Sequence, residues 1–157
     1  MTSTPVPAPM RAAALAVGGS VAAAAIGGIG ARRAPEVYGR LVKPAWAPPA
    51  RVFGPVWTAL YASMAVAAYR LGRREARTAV ALHAAQLAAN AAWPLVFFSA
   101  RDPRASLAVI AALDVLVACE VAAAIREDAV AAGLLAPYLG WCLFATALNA
   151  AVSNPAS

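Results

Sequence analysis

The sequence predicts an all-α polytopic membrane protein, a five-transmembrane-helix bundle. Two observations carry this. Hydrophobic residues fill 62% of the 157 positions and charged residues only 13%, about half of the ~25% charge of a soluble domain. The charges fall in short clusters that cut the apolar sequence into runs of about 20 residues, the length that crosses a hydrocarbon core. So few polar side chains cannot cover a globular surface. Soluble enzymes, disordered proteins and disulfide scaffolds are excluded. The net charge of +6 does not point to nucleic acid, because too little polar surface exists for a basic groove. The partner expected is the lipid bilayer.

Residues 1–10 are Pro-rich and are expected to be disordered. Residues 11–152 form a single transmembrane domain, and 153–157 a C-terminal tail. The first span covers about Ala12 to Ala31 and is too long for the apolar region of a signal peptide. Its glycines (Gly18, Gly19, Gly27, Gly28, Gly30) let helices approach closely in lipid. A long loop, 32–53, follows. Pro35, Pro44, Pro48 and Pro49 exclude a regular helix there, and Tyr38 and Trp46 suit a membrane interface. The second span starts at Gly54-Pro55, with Pro at the first helical position, and runs to about Leu71. A basic turn (Arg70, Arg73, Arg74, Arg77) leads to the third span, about 76–99. The fourth covers about 105–125 after RDPR. The fifth covers about 130–152 after REDA, with a kink expected at Pro137.

Five crossings put the two ends on opposite sides. Six Lys/Arg then fall on one side and seven on the other, so the positive-inside rule assigns no orientation.

On the third span His83, Gln86, Asn90, Trp93 and Phe97 recur at helical spacing and share one face. A polar stripe in a membrane helix faces the bundle or a cavity. Trp141, Ala145 and Leu148 share a face on the fifth span, with Asn149 beside it. Phe53, Trp57, Tyr61 and Met64 do so on the second. Trp57 and Trp93 lie about five residues from the long-loop edge, roughly 8 Å at 1.5 Å per residue, with Asn90 and Trp141 deeper. Two readings are open: an aromatic pocket under the loop for a large flat ligand with polar edges, or an interfacial tryptophan belt.

The fourth span carries Asp114 and Glu120, six residues apart on different faces. Glu120 lies as deep as His83, and the two are expected to pair. Asp114 is level with Gln86 and Asn90 and is expected to bond to either. These acids read as interhelical contacts or as a proton relay. Cys119, Cys142 and the single histidine, His83, are too few for a metal centre, and no metal site is expected.

The segment KPAWAPPARVFGPVWTALY (43–61) resembles the signature of the TspO/MBR family, also called translocator protein, peripheral-type benzodiazepine receptor or tryptophan-rich sensory protein. Tyr38 and Leu41 fit the approach to its loop. QLAANAAWPLVFF (86–98) is similar to the family's third-helix motif, and PYLGWCLFATALN (137–149) to its fifth. Asp114 falls where members often carry an acid. The resemblance implies a five-helix membrane protein, often a homodimer, that binds porphyrins such as protoporphyrin IX and haem as ligands, with no required cofactor. Synthetic benzodiazepine-type ligands are bound as well. It implies ligand-binding roles for Tyr38, Pro48, Trp57, Asn90, Trp93, Trp141, Ala145 and Leu148. Trp57 and Trp141 are catalytic only if the porphyrin is degraded by light and oxygen. Arg51 stands where the family has an aromatic residue, and Val37 where it has Trp. Arg51 reads as a partner for a porphyrin propionate or as a solvated loop charge. The C-terminus lacks the Tyr and Arg of the proposed sterol motif.

The function expected is porphyrin sensing, transport or photo-oxidative degradation in a bacterial cell membrane. The alternative is a small proton-coupled transporter using Asp114 and Glu120. With His83 toward the side opposite the loop, no axial ligand is evident, which favours a metal-free porphyrin.

Overall fold

A computed structural model describes residues 7–152. The expected disordered stretch 1–10 therefore lies mostly outside the described residues, as does the tail 153–157. Where the two overlap, Ala8–Met10 are already helical.

Helix α1 (Ala8–Gly30) runs through one 3-10 turn (Ala31–Arg33) into a short helix, α2 (Ala34–Arg40). This corrects the expectation of a loop without regular helix. Pro35 sits in the first turn of α2, where a missing N–H breaks no helical bond. Only beyond Arg40 does the chain become extended, up to a 3-10 turn at Ala50–Val52. Helix α3 (Phe53–Arg73) ends in a tight turn with Glu75 at φ 55°, and α4 (Arg77–Pro94) follows. After Pro94 the helix widens into a π-helical stretch, Leu95–Ala100. Proline has no N–H for the carbonyl one turn back, so the register there is free to slip.

Helices α5 (Pro103–Glu127) and α6 (Ala129–Ala151) each start on an aspartate cap. Asp102 Oδ1 accepts from Arg104 N at 3.0 Å and Ala105 N at 2.9 Å. Asp128 Oδ1 accepts from Val130 N at 3.0 Å and Ala131 N at 3.1 Å. These bonds satisfy N–H groups that have no partner within the helix. Helix α6 continues unbroken through Pro137. One turn earlier, Ser63 Oγ of α3 donates to Leu134 O at 2.6 Å.

Five stretches are long and apolar enough to cross a membrane: Pro9–Arg40, Ala50–Arg73, Arg77–Ala100, Pro103–Glu127 and Ala129–Ala151. They close into a ring. Helix α1 packs on α3 and α4, α5 on α4 and α6, and α6 on α3. Met64, Leu71, Val117, Leu135 and Tyr138 are fully buried at its centre, while Leu15, Val21, Val115 and Leu143 point outward. An apolar exterior around a core holding polar groups is the arrangement that lipid demands.

Two contacts fix helix positions. A Cβ on Gly30 would meet Leu95 N at 3.0 Å and Pro94 Cβ at 3.1 Å, so α1 passes close against the proline turn of α4. Arg70 and Arg74 both hold Asp128, at 3.0 Å and 2.9 Å, locking the α3 end to the α6 start. Burial pushes the Asp128 carboxyl up. The Arg70 and Ala131 hydrogen bonds and the two arginine charges outweigh that and hold it below the usual carboxylate range.

Gly30→Ala is expected to destabilise the protein in detergent by about 1–3 kcal/mol, the usual cost of overpacking. Thermal unfolding measures it, and an unchanged Tm refutes the close approach. A carboxylate with a lowered folded pKa adds stability above its unfolded value, near 3.9, that is lost as pH falls through the folded one. Tm should therefore drop as pH falls below about 4, and Asp128→Asn, already less stable at neutral pH, should lack this part of the drop.

Candidate functional site

At the long-loop end of the bundle the chain folds over the ends of α3 and α6. Tyr38 on α2 is buried, and its hydroxyl donates to Pro48 O at 2.8 Å. Lys43 Nζ donates to Tyr38 O at 2.7 Å and Leu41 O at 2.9 Å, and lies 4.9 Å over the Tyr38 ring. These bonds tie both halves of the loop together. Aromatic edges then link loop to bundle. Tyr38 meets Phe53 at 5.2 Å, Phe53 meets Trp141 at 5.9 Å, and Trp141 meets Phe144 at 5.3 Å. The loop's Trp46 returns onto Phe144 at 5.8 Å.

Trp57 of α3 lies beneath, 5.6 Å from Tyr61 and 6.3 Å from Tyr138. Ala145 and Leu148, one and two turns along α6 from Trp141, are buried. The indole nitrogen of Trp141 is buried without a hydrogen-bond partner, an uncommon condition for an N–H donor. Trp93 packs against the same core as Trp57 and Trp141. Its indole N–H donates to Asn149 Oδ1 at 3.0 Å, and its ring stacks on Phe97 at 5.1 Å and meets Phe98 at 5.7 Å. Phe98 is the more buried of those two, since the π-helical stretch rotates the register past Pro94. Arg51 is exposed on the loop.

Below the aromatic residues runs a buried polar network. His83 Nδ1 lies 2.7 Å from Glu120 Oε1, the pair expected from depth, and both residues are buried. His83 Nε2 meets Ser20 Oγ of α1 at 3.0 Å. Gln86 Nε2 lies 3.3 Å from His83 Nδ1, and Gln86 Oε1 accepts from Tyr138 Oη at 2.9 Å. Asn90 Nδ2 donates to the same Tyr138 Oη at 2.8 Å, and Asn90 Oδ1 accepts from Tyr61 Oη.

Asp114 bonds to neither Gln86 nor Asn90. Its Oδ2 accepts from Thr146 Oγ1 of α6 at 2.7 Å. Helix α5 lies between α4 and α6, and six residues at 100° turn a side chain about 240° round the axis. With Glu120 facing α4, Asp114 faces α6. The two acids therefore share no partner.

Sequence reasoning missed Ser20 and the Tyr138 hydroxyl. Ser20 was visible as the one hydroxyl within the apolar first span, and Tyr138 as the polar tip next to Pro137. A groove of about 520 Å³ lies at the other end, between α4 and α5, lined by Ala79, Leu82, Cys119, Ala122 and Arg126. It contains none of the expected site residues.

The model of the TspO/MBR family matches residues 13–154. The tryptophan-rich sensory protein of Cereibacter sphaeroides is 42% identical over 115 residues, 73% of each chain. The translocator protein of Homo sapiens is 37% identical over 118 residues, 71% of this chain and 70% of that one. The tryptophan-rich protein TspO of Chlorobaculum tepidum is 39% identical over 117 residues, 71% and 74% of the two chains.

Glu120→Gln is expected to lower the detergent Tm. It weakens a buried hydrogen bond to a histidine whose other contacts remain, at a cost of about 0.5–1.5 kcal/mol. No change in Tm would contradict a structural role for the pair.

Proposed function

The chain belongs to the TspO/MBR family of multi-pass membrane proteins, and from that premise we propose that it binds a porphyrin, protoporphyrin IX or haem, beneath the loop. The observation that carries this reading is the cluster of Trp57, Tyr61, Tyr138, Phe53 and Trp141 under a loop closed by Tyr38 and Pro48. Flat aromatic faces suit a macrocycle. The unpartnered Trp141 Nε1 suits its polar edge. Tyr38, Pro48, Trp57, Asn90, Trp93, Trp141, Ala145 and Leu148 are the proposed ligand residues. Within them, Trp93 holds Asn149 and Asn90 holds two tyrosines, so both support the cluster from behind.

A bound porphyrin supplies light absorption. Trp57 and Trp141 would be the electron donors to it, and degradation is the second reading of the same site. A bacterial cell membrane and a homodimer are part of the proposal. The rival reading, proton-coupled transport using Asp114 and Glu120, is weakened by their separate partners.

Titration of the protein in nanodiscs with protoporphyrin IX is expected to quench tryptophan fluorescence. Trp57→Phe and Trp141→Phe should each weaken binding by about 0.5–1.5 kcal/mol, a few-fold to about tenfold in Kd. Absence of quenching refutes the site. Illumination in air then separates the outcomes. A Soret band lost in the wild type and kept in both variants marks a degrading enzyme. A stable band leaves binding, sensing or transport.

A further inference from the structure

His83, Gln86, Tyr138, Asn90 and Tyr61 form one unbroken chain of hydrogen bonds to the aromatic cluster. The directions of these bonds are not independent. An amide donates at one end and accepts at the other, a hydroxyl gives one hydrogen, and a neutral imidazole has one donor and one acceptor nitrogen. Tyr61 O–H donates to Asn90, Asn90 N–H to Tyr138, and Tyr138 O–H to Gln86. The NH2 of Gln86 then faces His83 Nδ1 at 3.3 Å. An NH2 group only donates, so this direction requires a bare Nδ1. Glu120 Oε1 lies 2.7 Å from that same nitrogen, so a chain running in this direction assigns their shared proton to Glu120. The other ring nitrogen is then N–H and donates to Ser20 Oγ at 3.0 Å, and Ser20 donates to Ala16 O at 3.2 Å.

Transfer of that one proton reverses the chain. The Oε1–H bond of Glu120 breaks, the Nδ1–H bond of His83 forms, and a neutral pair becomes imidazolium and carboxylate with no atom gained or lost. The Gln86 NH2 now faces an N–H. Rotation of its amide relieves this and turns its NH2 to Tyr138. Tyr138 O–H turns to Asn90 Oδ1, Asn90 rotates in turn, and its NH2 donates to the Tyr61 oxygen. The Tyr61 hydrogen is released from Asn90. Tyr61 is half-buried, with its ring 5.6 Å from that of Trp57 and its hydroxyl 3.4 Å from where a Cβ on Gly27 of α1 would stand, so the chain ends between α1 and α4 beside the aromatic cluster.

We propose that the His83–Glu120 pair is a proton relay that sets the hydrogen-bond polarity of this site. With the proton on Glu120, Tyr61 offers an acceptor and suits a ligand N–H. With the proton on His83, Tyr61 offers a donor and suits a carboxylate or carbonyl. By linkage, a ligand of the second kind draws the proton onto His83. His83, Gln86, Glu120 and Ser20 are positioning residues here, and Tyr61 is the group that faces the ligand. Other charges leave the pair undisturbed. Ser20 faces it from α1, Met64 from α3 and Tyr138 through Gln86 from α6. Asp114 is turned to Thr146, and Arg70 and Arg74 hold Asp128 at the end of the bundle.

The relay itself needs no ligand to be tested; only its use rests on the porphyrin reading. The C=O stretch of a protonated carboxyl is read by infrared spectroscopy in nanodiscs and assigned to Glu120 by its loss in Glu120→Gln. Tyr61→Phe removes the hydroxyl that Asn90 bonds in both arrangements and is expected to change the intensity or position of the Glu120 band. In a Tyr138→Phe background, where the chain is cut, Tyr61→Phe should leave the band unchanged. A wild type without the band, a band indifferent to Tyr61→Phe, or an equal response in both backgrounds overturns the relay. Protoporphyrin IX added to the same samples, with tryptophan quenching as the separate readout of binding, distinguishes the two proposals. The coupled band response without quenching supports the relay and overturns the porphyrin site. Quenching without the coupled response does the opposite.

Discussion

A bilayer offers no water to a buried polar group, so every such group must find its partner inside the bundle. In this chain that constraint converges on one face of α4. His83, Gln86 and Asn90 follow one another at spacings of three and four, and each of the other four spanning helices brings them an oxygen partner: Ser20, Tyr61, Glu120 and Tyr138. The consequence is clearest for α1. Its Ala- and Gly-rich surface is apolar all round, and in lipid apolar surface alone does not choose a rotation about the helix axis. The bond from Ser20 to His83 and the close pass at Gly30 choose it.

The aromatic end depends on this polar centre. Tyr138 is fully buried because its hydroxyl is shared between Gln86 and Asn90. Its ring then supports Trp57, and Tyr61, held by Asn90, supports it from the other side. Phe53 at the start of α3 and Trp46 of the loop add a second layer on the α6 residues Trp141 and Phe144. Prolines at both ends of the loop stiffen it, and the Tyr38–Pro48 bond closes it. Bundle and cover are thus tied to each other by side-chain contacts, an ordering that would lower the cost of binding a flat ligand at the proposed site.

Much of this was legible in the sequence, and the exceptions share a cause. The spans followed from apolar length, and the His83–Glu120 pair followed from equal depth on facing helices. Depth alone failed for Asp114, because depth does not say which neighbour a residue faces. That needs the ring order of the helices, which no local pattern carries. The burial of Phe98 rather than Phe97 depended on a π-helical stretch, and the spacing rule assumed an undisturbed 3.6-residue period. Helix α2 was hidden by Pro35, read as a breaker although proline is at home in a first turn. Ser20 and Tyr138 were missed because a single hydroxyl carries no period at all. The bond from Trp93 to Asn149 joins α4 to α6, a pairing that the spacing of either helix could not show.

The same network bears on the choice between porphyrins within the proposed site. An axial ligand to haem iron needs a free imidazole nitrogen or a thiolate. His83 has neither nitrogen free, since Nε2 is bonded to Ser20 and Nδ1 to Glu120. It is also separated from Trp57 by the Gln86–Tyr138 link of the chain. Cys142 is buried on α6, one residue from Trp141 and turned into the core beside Tyr138 rather than toward the loop. Affinity at this site would thus come from stacking and from the polar edge of the macrocycle, which a metal-free ring presents as well as haem does. The polar centre that holds the helices together therefore leaves no imidazole nitrogen of His83 free for a metal.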